Sequence, residues 1–496
     1  MRKTILPLIL AIFTNILLAS NSQEVITASA AHSSNNLKEL SELYKTNHTD
    51  PVISYLYAKS SLNVQNKPNT ADNFVAQAPD SYMKNDLLHQ LLIYHYSNNS
   101  YAKYVDSYDK LINTQISTIE TCGFDLAQLK LSNTLKKTTT DINWLTRDNI
   151  TSWCVDLGLL IYRKNLITQN AFNQMLSNLV IHGNTSAFNR LAPAIGIKAI
   201  NFTKYKNICF NKLTNNQFAI IYNIAYGAKK HPENAENLLN QSSLTSLNKI
   251  LLANYIAMQY ARTQQFKHAI NLYEEFNSQN INNDEFEWKA RSYLATGKWG
   301  KLITTIKSMP ETIQNKNNWL YWLAKSYDAQ GQYGKSTTLL KKIPKDYSYY
   351  YLIAQGELEQ PIVFNTQLPK YVSLGNSKFA HEVENVLYLY QLGKFNNIKT
   401  LATIGIYEWQ FLTRTANQEQ LIAMSVIARN QGYYELSISS ANYLNTRILY
   451  LSFPTPYLSY YQEYGTELGI KSNYLLAISR QESRFNSTVI ALDGGE

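Results

Sequence analysis

The feature that most constrains this chain is a repeat of 34 residues, found by laying Trp288–Pro310 over Trp322–Pro344. The two stretches agree at Trp288/Trp322, Ala290/Ala324, Ser292/Ser326, Tyr293/Tyr327, Ala295/Ala329, Gly297/Gly331, Gly300/Gly334, Lys301/Lys335, Thr304/Thr338, Lys307/Lys341 and Pro310/Pro344. Ordinary composition gives about one or two such matches by chance. A unit of this length cannot bury an apolar face alone, and tandem copies do so by stacking on their neighbours. Glycine and proline number only 18 and 12 in 496 residues, about half of common usage, while helix formers recur throughout. The expected fold class is therefore all-α.

The period and wording resemble tetratricopeptide-type helix pairs, in which small residues let two helices approach and a glycine supplies the left-handed turn between them. Gly-x-aromatic recurs at Gly297-Lys298-Trp299, Gly331-Gln332-Tyr333, Gly393-Lys394-Phe395 and Gly432-Tyr433-Tyr434. A weaker unit shows Ala257, Tyr260, Ala261, Phe266 and Ala269. The expectation is a superhelical solenoid of helical hairpins, clearest over 251–443, within a helical domain at 31–452. Earlier, Leu37, Leu40, Leu43 and Tyr44 form one apolar stripe and Leu87, Leu88, Leu91 and Leu92 another, with helix boundaries expected at Asp80-Ser81 and Asn98-Asn99-Ser100. Trp144, Trp153, Leu157, Leu160 and Tyr162 continue the helical spacing; such stripes are core, not chemistry.

Arg2 and Lys3 precede an apolar run from Ile5 to Leu18, followed by small residues at Ala19, Ser20, Ala28, Ser29 and Ala30. This fits a cleaved secretory signal at 1–30, cut after Ala30 or nearer Ser22, and is short for a membrane span. An exported, oxidised chain can bridge Cys122 to Cys154, but Cys209 is a third thiol and spacing alone leaves the pairing open. The formal charge of +10 draws such a protein towards acidic polymers, including peptidoglycan with its peptide carboxylates. Export and the lack of a compact Lys/Arg block argue against nucleic acid as a partner.

Chemistry concentrates in the tail, Ser472–Glu496. Leu475, Ile478, Glu482 and Phe485 fall at i, i+3, i+7 and i+10, so a helix places one carboxylate on an apolar face. Burial favours the protonated form, and a carboxyl neutral near pH 6 to 7 can act as a general acid. The plainer reading makes Glu482 a solvated partner of Arg480 and Arg484, in ion pairs worth about 0–1 kcal/mol.

The run Ala477-Ile478-Ser479-Arg480-Gln481-Glu482-Ser483-Arg484-Phe485-Asn486 resembles the opening of the catalytic domain of soluble lytic murein transglycosylases, the SLT type with a goose-lysozyme-like fold. The family hallmark is R-Q-E-S-x-F, then a loop and G-L-M-Q. Pro454, Pro456 and Tyr457 suit the start of a helix ending near Gly469, with Ser472 capping the next. The aromatic run Tyr347–Leu358 is similar to that family's linker region. The resemblance implies a helical part closed into a ring, a catalytic domain beginning at 453–496, and Glu482 as the acid/base, with Ser483 orienting it, Phe485 packing behind, and both Ser483 and Phe485 expected to contact substrate. The implied reaction cleaves the MurNAc-GlcNAc β-1,4 bond of peptidoglycan, with the sugar's own C6 hydroxyl attacking C1 to give a 1,6-anhydro product. Ser487, Val489 and Ala491 stand where the family has proline, alanine and serine, and Gly494-Gly495-Glu496 stands where G-L-M-Q is due. The lysozyme-like domain is thus expected to be incomplete, and residues 31–496 to be weak or inactive on murein.

No H-E-x-x-H, zinc spacing, G-x-S-x-G or phosphate-binding glycine loop occurs, so no metal or cofactor is expected. Two further readings remain: a non-catalytic periplasmic helical-repeat scaffold binding glycan strands or envelope proteins, and an exported tetratricopeptide adaptor with a chance match in its tail.

Overall fold

The computed structural model describes residues 22–111, 116–133, 152–206, 216–276, 282–363, 365, 367 and 373–486. The described residues hold 27 α-helices and no strand, only an isolated bridge between Asn365 and Ile448, as the scarcity of turn residues predicts. The chain divides into two compact units. One contains the described parts of Met1–Ser100, Ser107–Ile112 and Val363–Glu496; the other contains those of Tyr101–Asp106 and Asn113–Ile362.

The repeat lies in the second unit as stacked helical hairpins. Its first copy is Asn283–Ala295 with Trp299–Ser308, and its second is Asn317–Asp328 with Tyr333–Lys342. Gly297 and Gly331 end the first helix of each copy with φ of 67° and 72°, a conformation in which a Cβ is strained. The bond from Lys298 N–H to Tyr293 C=O recurs from Gln332 to Tyr327, at 3.0 and 2.9 Å, satisfying an orphan carbonyl in the Schellman manner. Ile270, Tyr293, Leu302, Ile306 and Trp319 share one buried cluster, so neighbouring hairpins complete each other's core. The weaker unit is also a hairpin, Ser246–Arg262 with Phe266–Glu275, and there Gln264 takes the positive φ of 62°. Cys122 and Cys154 are joined by a disulfide between helices Thr118–Ser132 and Ser152–Arg163. Cys209 and Trp144 lie outside the described residues.

In the first unit the Gly-x-aromatic reading needs a correction. Gly432 sits in a turn at φ 82°, but Gly393 lies inside the helix Lys378–Phe395, and the turn belongs to Asn397 at φ 55°. Gly393 serves close approach instead: a Cβ there would stand 2.2 Å from the Ala402 nitrogen. Gly405 does the same from the facing helix, Lys399–Thr415, where a Cβ would lie 2.8 Å from Tyr390 Cα. Trp409 fills the space behind, buried, with its indole N–H donating to the Leu436 carbonyl at 2.9 Å.

The same helix joins the two ends of this unit. Glu408 is 5% exposed, and its carboxylate accepts the backbone N–H groups of Tyr82 at 3.0 Å and Met83 at 2.9 Å, residues more than 320 positions earlier. Those amides open the helix Tyr82–Ser97, whose N-cap is Ser81, as the Asp80-Ser81 boundary predicts. A carboxylate at a helix N-terminus satisfies orphan donors and meets the positive end of the macrodipole. The rings of Tyr82 and Tyr407 stack beside it at 4.8 Å. Burial pushes the Glu408 carboxyl above its ordinary value, while the two N–H donors pull it back.

A group that holds its proton more tightly when folded loses stabilising effect as pH rises through its folded pKa. Glu408→Gln does not ionise but keeps only one of the two acceptor oxygens, so it is expected to cost about 1–3 kcal/mol and to compare best with wild type at pH 7. Glu408→Ala strands two buried donors and is expected to cost about 2–4 kcal/mol. Denaturant melts at pH 4.5 and 7 check both.

Candidate active site

The tail motif stands on a hairpin of two helices, Leu458–Leu468 and Ser472–Ser483. Gly469 closes the first at φ 68°, as expected. Gly465 admits the returning chain, since a Cβ there would lie 2.6 Å from the Ile470 carbonyl oxygen. Ser472 does not cap the second helix: Lys471 holds the N-cap position, without a side-chain bond. The hydroxyl of Tyr461 donates to Ser479 Oγ at 2.8 Å and pins the two helices together.

The hairpin packs through a line other than the one that periodicity singled out. Leu476 and Phe485, each 9% exposed, join Ile438 in a small cluster flanked by Tyr434 and Tyr461. Arg480 anchors the same side. Its Nε donates to the Ser452 carbonyl at 2.8 Å and its guanidinium lies 4.5 Å from the centroid of Phe453, a charge-assisted bond and a cation–π contact together. Burial, then the charges of Arg447 and Arg484, lower its pKa. Arg480 therefore makes no surface pair with Glu482, a role the alternation of charges in sequence could not reveal.

With Leu476 and Arg480 facing the body, the line Leu475–Ile478–Glu482 turns away. Ile478 is 59% exposed and Glu482 is exposed. Among the described residues its carboxylate has no hydrogen-bond or ion-pair partner. The expectation of an acid sheltered in hydrocarbon is thus corrected: the apolar stripe has two candidate packing lines, and tertiary contact selects the one through Leu476. Ser483 is half-buried and its hydroxyl donates to the Ser479 carbonyl at 3.2 Å, not to Glu482. Phe485 does pack behind the helix end, edge-on to Tyr434 at 6.3 Å. To reach that position the chain sets both Arg484 and Phe485 at positive φ, 53° and 64°, a conformation costing non-glycine residues about 1–2 kcal/mol each. Lys394 Nζ holds the next residue through Asn486 Oδ1 at 2.7 Å. Ser487, Val489 and Ala491 lie outside the described residues.

Glu482 shares its exposed hairpin with aromatic and apolar side chains. Tyr474 and Ile478 precede it at i−8 and i−4, and Tyr460, Tyr464 and Leu468 are exposed on the partner helix. Exposed apolar groups gathered on one element mark an interaction surface.

No protein-family model matches the chain, and no curated protein does. Solved structures do. The inactive mutant of lytic transglycosylase Slt from Pseudomonas aeruginosa is similar at 18% identity and a TM-score of 0.61, over 95% of this chain and 79% of that one. The 70 kDa soluble lytic transglycosylase from Escherichia coli follows at 17% and 0.55, over 96% and 79%. A complex of a 70 kDa soluble lytic transglycosylase with bulgecin A gives 16% and 0.53, over 96% and 79%. At these identities the likeness is one of fold, and the fold is that of the soluble lytic transglycosylases.

Phe485→Ala removes the anchor that holds the helix end. It is expected to raise amide hydrogen exchange across 472–486 at least tenfold while leaving the repeat hairpins protected, which mass spectrometry of labelled peptides checks.

Proposed function

We propose that the chain is a lytic transglycosylase of the cell envelope that cleaves the MurNAc-GlcNAc β-1,4 bond of peptidoglycan with formation of 1,6-anhydro-MurNAc. One observation carries the reading: the run Arg480-Gln481-Glu482-Ser483-Arg484-Phe485 closes the last described helix of a chain whose fold is that of transglycosylases. Glu482 would protonate the leaving oxygen and then accept the proton of the C6 hydroxyl that attacks C1. One acid/base is worth about 100- to 10,000-fold, and the remainder comes from a cleft that orients the glycan and excludes water. The second reading, a scaffold that binds glycan strands or envelope proteins without cutting, is favoured by the solvent exposure of Glu482.

Murein sacculi incubated with the purified protein separate the two. Release of 1,6-anhydro muropeptides is expected to be weak, because Glu482 stands in water, and to vanish in Glu482→Gln with sacculus binding retained. Binding with no release favours the scaffold, and release unchanged in Glu482→Gln removes Glu482 from the reaction.

The same reading places the protein in the periplasm, behind a cleaved leader. Among the described residues no helix is long and apolar enough to cross a membrane. Ser22–Ser33 is itself a helix, with Val25, Ala28 and Ala31 buried. Its His32 Nδ1 pairs with Ser60 Oγ at 2.7 Å and its Ser33 Oγ with Thr400 Oγ1 at 3.2 Å. A cut after Ala30 would strip Val25 and Ala28 from the core, so the cut nearer Ser22 is favoured. Mass spectrometry of the secreted amino terminus is expected to find it between residues 19 and 23.

A further inference from the structure

The second helices of three successive hairpins, Phe266–Glu275, Trp299–Ser308 and Tyr333–Lys342, have equal length. They can therefore be read in register. Their third residues are His268, Lys301 and Lys335, and their ninth are Glu274, Lys307 and Lys341. Between the first two helices, Glu274 lies 3.9 Å from Lys301 and 3.5 Å from Lys298. That groove holds its own carboxylate partner for the lysines.

One hairpin further on, the same register replaces the acid by a base. Lys307 stands where Glu274 stood, Lys335 where Lys301 stood, and Gln332 where Lys298 stood. Lys307 and Lys335 both line an open groove of about 590 Å³, and no carboxylate is among its lining residues. Leu323, Leu339 and Tyr327 give it an apolar floor. Lys335 is held over the Tyr327 ring at 5.2 Å and donates to the neutral Gln332 Oε1 at 2.8 Å. Its ammonium is positioned, and its charge is left without an opposite partner in the groove.

We propose that this groove is a binding site for a short acidic peptide, whose carboxylate bridges Lys307 and Lys335 and supplies the negative charge that Glu274 supplies in the preceding groove, while its apolar side chains lie on Leu323 and Leu339. The site is independent of Glu482. A volume of this size holds a few residues, and two lysines without a resident acid select a carboxylate over neutral or basic sequences.

The test is fluorescence anisotropy of a fluorescein-labelled Glu-Leu-Glu-Leu peptide on the full-length protein. Saturable binding is expected, weakening with added salt and absent for Gln-Leu-Gln-Leu. Lys335→Gln is expected to weaken it on the order of tenfold. Lys307→Glu rebuilds the self-paired groove and is expected to abolish binding with thermal stability unchanged or raised. Lys301→Gln removes an equal charge from a groove already filled and is expected to change affinity less than about twofold. Equal losses in Lys335→Gln and Lys301→Gln would reduce the effect to net charge and overturn the site, as would binding undiminished in Lys307→Glu, or none in wild type.

Discussion

A single buried carboxylate closes one of the two units of this protein. Glu408 meets the first turn of Tyr82–Ser97 with both oxygens, and the donors it satisfies are ones that no residue within that helix can reach. The approach works because Gly393 and Gly405 let Lys378–Phe395 and Lys399–Thr415 lie almost backbone to backbone, which fixes the helix that carries Glu408. Trp409, the next residue, points into the core and has its own carbonyl partner in Leu436. Charge, close approach and burial thus meet on one stretch of helix, and the amino-terminal helices dock against it.

The two glutamates at the centre of this structure have exchanged the environments that sequence suggested. Glu482 carries the wording of an acid/base yet stands in solvent, whereas Glu408, in an unremarked stretch, is buried with a raised pKa. A buried carboxyl that accepts two backbone N–H groups is a structural part, since both its oxygens are occupied. Glu482 has the converse character: exposed, on a helix end packed from behind through Phe485 and Arg480.

Local features were legible in the sequence because their causes are local. The Trp288/Trp322 period predicted hairpins, and Gly297 and Gly331 predicted their turns, since a left-handed residue between helices is written into a few neighbouring positions. Gly393 shows the limit, for the same residue type serves a turn in one place and a close approach in another, and only the facing Ala402 distinguishes them. The packed side of Ser472–Ser483 was not legible either. Leu475 leads on to Ile478 whereas Leu476 leads on to Ser479 and Arg480, yet the choice belongs to Ile438, Tyr434 and Ser452, all distant in sequence. The amides that Glu408 serves are hidden for the same reason.

The disulfide and the Glu408 contacts differ in how far apart in sequence they reach. Cys122 and Cys154 are 32 positions apart, so the bond between them closes a short stretch within one unit. The unit that contains it is nearly contiguous in sequence, whereas the other begins before it and ends after it. The amides of Tyr82 and Met83, by contrast, meet a carboxylate more than 320 positions away, so no fragment that lacks residue 408 can complete that helix start.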